Sequence, residues 1–198
     1  LIIQAIQAGF TSVMYDGSGM RNSDNIKITS KIAKIAHAAG VTVEAELGYV
    51  PAKDTGEFVP EEQLTRPEEA KEFVEKTNCD ALAIAVGTIH GNYIGKPKIY
   101  HDRLKEITKV ISIPLVLHGG SGNTEEDLIL AIDEGISKIN INTEISNAAV
   151  NQLKEIFKND YSGHLSTLSE KIKEPMLIAI KEKMRLFSRG KIGSLHKK

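Results

Sequence analysis

The chain has 198 residues, enough for one good-sized core, and its 25 Lys+Arg nearly balance its 26 Asp+Glu. That balance gives no support to a nucleic-acid-binding or membrane-surface protein, and 41% hydrophobic residues argue against disorder. A single cysteine, Cys79, excludes an internal disulfide framework and fits a reducing, cytoplasmic compartment; the sequence contains neither an apolar run of bilayer length nor a signal-peptide pattern.

In chain order, Leu1, Ile2, Ala5 and Ile6 have helical spacing, and Gly9 reads as the stop of a helix that begins without an N-cap. That opening leads us to expect that an N-terminal part is missing. Residues 11–15 read as a strand ending at Asp16, Gly17 and Ser18. Ser23 is placed to cap a helix running to Ala39, with Ile28, Ile32, Ile35 and Ala39 on its apolar face. A strand follows over 41–48, then a polar connection over 49–64 without a clear period. Thr65 and Glu68 form a capping-box pattern with Pro67 in the first turn, for a helix running to about Thr77. Residues 81–86 lack alternation, as a strand buried on both faces does, and end at Gly87, Thr88, Ile89, His90 and Gly91. A helix around 102–110 precedes the stretch 114–122, a strand closed by His118, Gly119, Gly120, Ser121 and Gly122. Thr124 with Asp127 starts the next helix and Gly135 stops it; 138–143 form the last strand. Two amphipathic helices, 144–157 and 166–186, and a polar tail from Ser188 complete the chain.

Strand and helix thus alternate five times with a period of roughly thirty residues, the pattern of a parallel α/β sheet with crossover helices. Two architectures fit: an open doubly wound sheet, or a (β/α)8 TIM barrel with about its last five strands present. Polar residues at the C-terminal end of every strand favour the barrel, whose chemistry sits at that face.

Those strand ends supply the candidate site. His90 and His118 end consecutive strands, and two neighbouring neutral imidazoles provide half of a tetrahedral zinc shell. Asp16 and Glu46 are positioned to add oxygen ligands or to accept hydrogen bonds from the histidines. The four other histidines, His37, His101, His164 and His196, fall on helices or in tails and read as surface residues. Gly119, Gly120, Ser121 and Gly122 entering a helix offer backbone N–H groups and a hydroxyl to a phosphate, with residues 140–143 beside them; an ordinary glycine-rich turn is the simpler alternative.

At these residues the chain resembles the class II, zinc-dependent ketose-bisphosphate aldolases. The matching segments are 8–14 with Asp16, Gly17 and Ser18; Val43 through Gly48; 81–93 with Gly95, Lys96 and Pro97; 114–122; and 138–144. The resemblance implies a single aldolase barrel domain over 1–198, truncated at its N-terminus. It also implies reversible, Zn2+-dependent cleavage of fructose or tagatose 1,6-bisphosphate to dihydroxyacetone phosphate and glyceraldehyde 3-phosphate, in glycolysis and carbohydrate metabolism. On this likeness His90 and His118 are zinc ligands, and Asp16 and Glu46 match a second-metal position. Gly91, Gly119, Gly120, Ser121, Asn140, Ile141, Asn142 and Thr143 form the dihydroxyacetone phosphate site. The partner is a small sugar phosphate, with neither nucleic acid nor membrane, in a homodimer or homotetramer. No Schiff base is needed, so Lys96 and Lys138 have no covalent role.

Two departures accompany the likeness. The family's His-x-Asp-His-Gly motif, source of a third zinc histidine and of a catalytic aspartate, does not occur in the chain and is expected before Leu1. Alone, the segment is then expected to be neither well folded nor active. Where the family carries Gly-Gly-x-Glu-Asp, this chain has Pro51, Ala52, Lys53, Asp54 and Thr55, with Asp54 at the place of a mobile catalytic glutamate and nearby Glu57 as the alternative carboxylate. The altered loop leaves room for an aldolase acting on a modified sugar phosphate, and the absent motif for a non-catalytic phosphate-binding barrel.

Overall fold

A computed structural model describes residues 1–51, 59–93, 95, 97–158 and 161–189. It contains α1 (Ile2–Gln7), β1 (Ser12–Asp16), α2 (Asn22–Ala38), β2 (Thr42–Leu47), α3 (Pro67–Thr77), β3 (Ala81–Ile84), α4 (His101–Thr108), β4 (Leu115–Leu117), α5 (Glu125–Asp133), β5 (Ile136–Ile139), α6 (Thr143–Phe157) and α7 (Leu165–Phe187). The strands form one sheet in the order β1-β2-β3-β4-β5, every pair parallel.

That order separates the two architectures. A doubly wound sheet reverses its strand order at a switch point, whereas a barrel adds each new strand on the same side. Spatial order here equals chain order throughout, so the fold is α/β, a five-strand arc of the (β/α)8 type. All five C-terminal strand ends therefore face the same way.

The main core lies between the sheet and α3–α5. Phe73, Leu82, Ile84, Leu104, Ile107, Leu117 and Leu128 are completely buried there. On β3, Leu82, Ala83 and Ile84 are all inaccessible, in line with a strand covered on both faces. A smaller cluster of Val13, Ala33, Ala36, Val41 and Val43 joins α2 to β1 and β2, with Ile2 and Ile6 of α1 against it.

Several local expectations are corrected. Ser23 lies inside the first turn of α2; extended Arg21 is the N-cap and its guanidinium pairs with Asp24 at 2.9 Å. The buried stripe of α2 is Asn25, Thr29, Ala33 and Ala36, while Ile35 and Ala39 are exposed. Polar Asn25 can be buried because its amide donates to the Glu46 carbonyl (2.9 Å) and its oxygen accepts from Thr29 (3.0 Å).

The capping box at Thr65 is absent. Arg66 is the N-cap of α3, with Pro67 at the start of the helix as expected. The Thr65 hydroxyl instead donates to the Leu47 carbonyl (2.7 Å) and accepts from the Ala85 N–H (2.9 Å), joining the ends of β2 and β3. Thr124 does cap α5, accepting from the Asp127 N–H at 3.1 Å. The last strand begins at Ile136 and ends at Ile139, because Gly135, at φ +118°, turns the chain straight into it; residues 140–142 lie beyond the strand. The connection 49–64 contains a short 3-10 helix at Glu61–Gln63.

Two of the histidines assigned to the surface are joints between elements. His101 is largely buried and pairs with Glu134 (2.6 Å) and Asp127 (3.4 Å) of α5 and its C-cap, and His37 pairs with Asp80 (2.8 Å). His164, the N-cap of α7, is exposed as expected, and His196 lies outside the described residues. Cys79 is a buried free thiol after α3; burial raises its pKa, consistent with packing rather than reactivity.

Candidate active site

The parallel arc delivers Asp16 from the end of β1, Glu44 and Glu46 from β2, His90 from the turn after β3 and His118 from the residue after β4. Successive strand side chains alternate, so Glu44 and Glu46 share one face of β2. His118 is buried between them. Its Nε2–H donates to Glu44 Oε1 at 3.1 Å, and its Nδ1 lies 2.9 Å from Glu46 Oε2. Burial alone would lower the His118 pKa, but hydrogen bonds to the two glutamates and their charges outweigh it and raise it to about 9. Burial likewise opposes the charge on Glu44, yet the bonds from His118 and Lys138 hold its carboxyl below the usual range.

The His90 ring lies 5.8 Å from that of His118, tilted by 39°. Burial and the neighbouring His118 push the His90 pKa down, against Glu46 and Asp16, which favours the neutral imidazole. Asp16 is exposed, and one carboxylate oxygen accepts from the Ser18 N–H (2.9 Å) and hydroxyl (2.6 Å). Two imidazoles with flanking carboxylates are a donor set that suits zinc. Among the described residues, though, no three histidine, cysteine, aspartate or glutamate side chains are grouped to hold an ion by themselves. They fit as one part of a shell, with His90 and His118 as its nitrogen donors.

Beside the histidines opens a cavity of about 680 Å³ lined by His90, Gly91, Gly119, Ser121 and residues 139–143. It brings together Gly91, Gly119, Ser121, Asn140, Ile141, Asn142 and Thr143 of the sequence-derived phosphate set. Gly120 stands behind the lining: its N–H is spent on the Asn140 carbonyl (3.1 Å), and a Cβ there would run into Ile139 and Ile141. Gly119 has φ +64°, and a Cβ on it would collide with the Ile89 carbonyl. Glycine therefore lets the turns after β3 and β4 touch, which sets the two imidazoles side by side.

The Ser121 hydroxyl accepts from the Asn142 N–H (3.3 Å) and weakly from that of Glu144 (3.5 Å), tying the β4 turn to the start of α6. Asn142 caps α6 without a side-chain bond. The helix N-terminus, where amides and macrodipole favour an anion, thus borders the cavity.

Four residues of this constellation escaped the sequence reading. Glu44 was legible as the partner of Glu46 at i−2. Lys138, Tyr93 and Asn123 carry no local signal. The Tyr93 hydroxyl accepts from the Ile89 N–H (3.0 Å), while Asn123 Nδ2 donates to the carbonyls of Gly119 (3.0 Å) and Gly120 (3.1 Å), clamping the two glycine turns. Asp54, Glu57 and Lys96 lie outside the described residues.

The family model described as fructose-bisphosphate aldolase class-II matches residues 1–191. A fructose-bisphosphate aldolase of Staphylococcus epidermidis is 41% identical over 184 residues, covering 90% of this chain and 64% of that protein. One from Geobacillus stearothermophilus is 43% identical over 156 residues, 79% of this chain and 54% of that protein. The crystal structure of the YdjI aldolase from Escherichia coli K12 superposes with a TM-score of 0.80 at 36% identity, covering 94% of this chain and 64% of that one. The chain thus spans 64% of the length of two of these relatives and 54% of the third.

Proposed function

Because the chain belongs to the class II fructose-bisphosphate aldolase family, we propose that the full-length protein is a zinc-dependent lyase. It cleaves a ketose 1,6-bisphosphate to dihydroxyacetone phosphate and glyceraldehyde 3-phosphate and runs the reverse condensation, as a cytoplasmic enzyme of glycolysis. The observation that supports this most directly is the adjacency of a two-imidazole, two-carboxylate wall and an amide-rimmed cavity at one end of the sheet.

In this reading His90 and His118 hold the metal, and Asp16 and Glu46 form a second, oxygen-rich position. The third imidazole comes from the part of the relatives that this chain does not span. Zinc, when bound, supplies Lewis-acid charge for the carbonyl oxygen and for the enediolate left by carbon–carbon cleavage. The chain's own residues position the substrate. Gly91, Gly119, Ser121 and residues 140–143 grip the phosphate at the start of α6, fixing the reacting carbons beside the histidines. Asp54, from the loop after β2, is the proposed proton carrier. A homodimer or homotetramer is the proposed assembly.

The test is cleavage of fructose and tagatose 1,6-bisphosphates by the full-length protein, followed through triose phosphate release. Chelator should abolish turnover and zinc restore it; undiminished activity in excess chelator would overturn the metal role. A His118→Ala protein that keeps stoichiometric zinc would overturn the ligand assignment. The ratio of kcat/KM for the two sugars identifies the preferred epimer. Asp54→Ala should lower kcat at unchanged zinc content; an unchanged kcat removes Asp54 from the mechanism.

A further inference from the structure

The start of α6 is tied to both loops that line the cavity. Glu144 Oε1 accepts from the Gly122 N–H of the β4 turn at 2.8 Å. Asn147, on the same helix face, donates from Nδ2 to Asn92 Oδ1 in the loop after β3 at 3.0 Å. The second Glu144 oxygen pairs with Lys183 Nζ of α7 at 2.8 Å. Only 17% of the Lys183 side chain is exposed, and its stretch of α7 is anchored: Leu186 and Phe187 pack against the main core, and Arg189 pairs with Asp133 of α5. Among the described residues that line the cavity, none is a lysine or an arginine.

We infer that Glu144 and Lys183 are positioning residues for the phosphate cavity: Glu144 fixes the Gly122 end of the glycine turn, and Lys183 cancels the charge of that carboxylate at the rim. The inference rests on the phosphate reading of the cavity and adds two residues that do not line it. An anion held by amides and hydroxyls is sensitive to any bare charge nearby. Glu144 directly follows Thr143, a lining residue, so an uncompensated carboxylate there would repel a phosphate. The same carboxylate is the acceptor that ties the turn to α6. Ser121 Oγ meanwhile accepts from the Asn142 and Glu144 N–H groups, so turn and helix start are bonded in both directions. Lys183 reconciles the two demands. The ion pair carries no net charge toward the cavity, while Oε1 still accepts from Gly122. A helix remote from the strand ends thereby acts on the site.

Two measurements on the full-length protein test it: the Kd of inorganic phosphate by phosphorus NMR titration, and KM and kcat for the ketose bisphosphate it turns over. Lys183→Met should raise the phosphate Kd and the KM about 10-fold and leave kcat within about twofold, the size expected of one uncompensated charge near an anion. Lys183→Arg should keep wild-type values. Glu144→Gln retains an oxygen for the Gly122 N–H and removes the charge, so it should bind phosphate at least as tightly as the wild type. Combined with Lys183→Met, it should return the Kd to the wild-type range. Glu144→Ala removes the acceptor as well and should raise KM whether or not Lys183 is present. A merely structural ion pair behaves differently: Lys183→Met would lower the melting temperature and leave Kd and KM in place. That result would overturn the inference, as would a double variant whose Kd stays as high as that of Lys183→Met. Failure of the phosphate reading itself is separable: there the wild type binds no phosphate, or Thr143→Val in the cavity wall leaves its Kd unchanged. Far-UV circular dichroism confirms that each variant is folded.

Discussion

A side chain at position 119 has nowhere to go. Gly119 sits at φ +64°, and its absent Cβ would occupy the place of the Ile89 carbonyl. Gly119→Ala should therefore cost about 1–3 kcal/mol through backbone strain, read as a lower urea midpoint. It should also weaken zinc binding, because relief of the clash parts the His90 and His118 turns. An alanine variant with wild-type midpoint and zinc affinity would refute this account of the turn. At this scale the sequence was informative wherever chemistry and strand position coincide. Glu46 and His118 lie at or just past a strand end and His90 follows in the turn after β3, so residue type and place could be read together. Glu44 and Lys138 act through partners 74 and 94 positions away, and the Tyr93 hydroxyl reaches the Gly119 carbonyl 26 positions on. Tertiary structure alone creates those pairings, although alternation on β2 offered a hint of Glu44.

Thr65 shows how an element boundary was misjudged for a physical reason. A threonine three residues before a glutamate resembles a helix cap, but the same hydroxyl can serve two buried backbone groups at once. In the fold it takes the Leu47 carbonyl and the Ala85 N–H, and α3 starts on Pro67 without it. Local propensity gave way to the need to satisfy polar groups where β2 and β3 end. Thr65→Val keeps the shape and strands both groups, so it should destabilise by about 2 kcal/mol or more; a loss below a few tenths would show that the joint is dispensable. Asp80 makes a second joint, accepting from the Val43 N–H (2.7 Å) and pairing with His37 (2.8 Å) between α2, β2 and β3. Burial alone would raise its pKa, but His37 and the Val43 amide lower it below the ordinary carboxylate value. A depressed folded pKa stabilises above the unfolded value of about 3.9, and the contribution is lost as pH falls through the lower folded value. Across that acidic window the wild type should lose stability faster than Asp80→Asn. Parallel urea midpoints of the two proteins from pH 5 downward check the sign, and parallel slopes would exclude Asp80 as a contributor.

At the scale of the molecule, repeated βα alternation established a parallel α/β fold, while strand order was invisible to periodicity. The unreversed order β1 to β5 is a product of crossover packing, and it makes the arc part of a barrel. An arc has edges. Among the described residues β1 pairs only with β2, and beside it Leu1, Ile2, Ile3, Met14, Ile32 and Ile35 line an apolar groove of about 530 Å³. Met14 is 37% exposed, Ile35 48% and Ile3 55%. An unpaired strand flanked by large apolar side chains is a template for another strand, and a barrel is free of that hazard only when closed. Residues 1–198 expressed alone should therefore self-associate through this edge. Light scattering across a concentration series should show mass rising with concentration, and Met14→Lys with Ile35→Lys should suppress the rise by placing charge in the groove. In the full-length protein the same two substitutions should instead lower stability, because strands that complete the barrel bury both positions. A monodisperse monomer of residues 1–198 at every concentration would show that α1 and its neighbours already shield the edge, and would make the arc a self-sufficient fold.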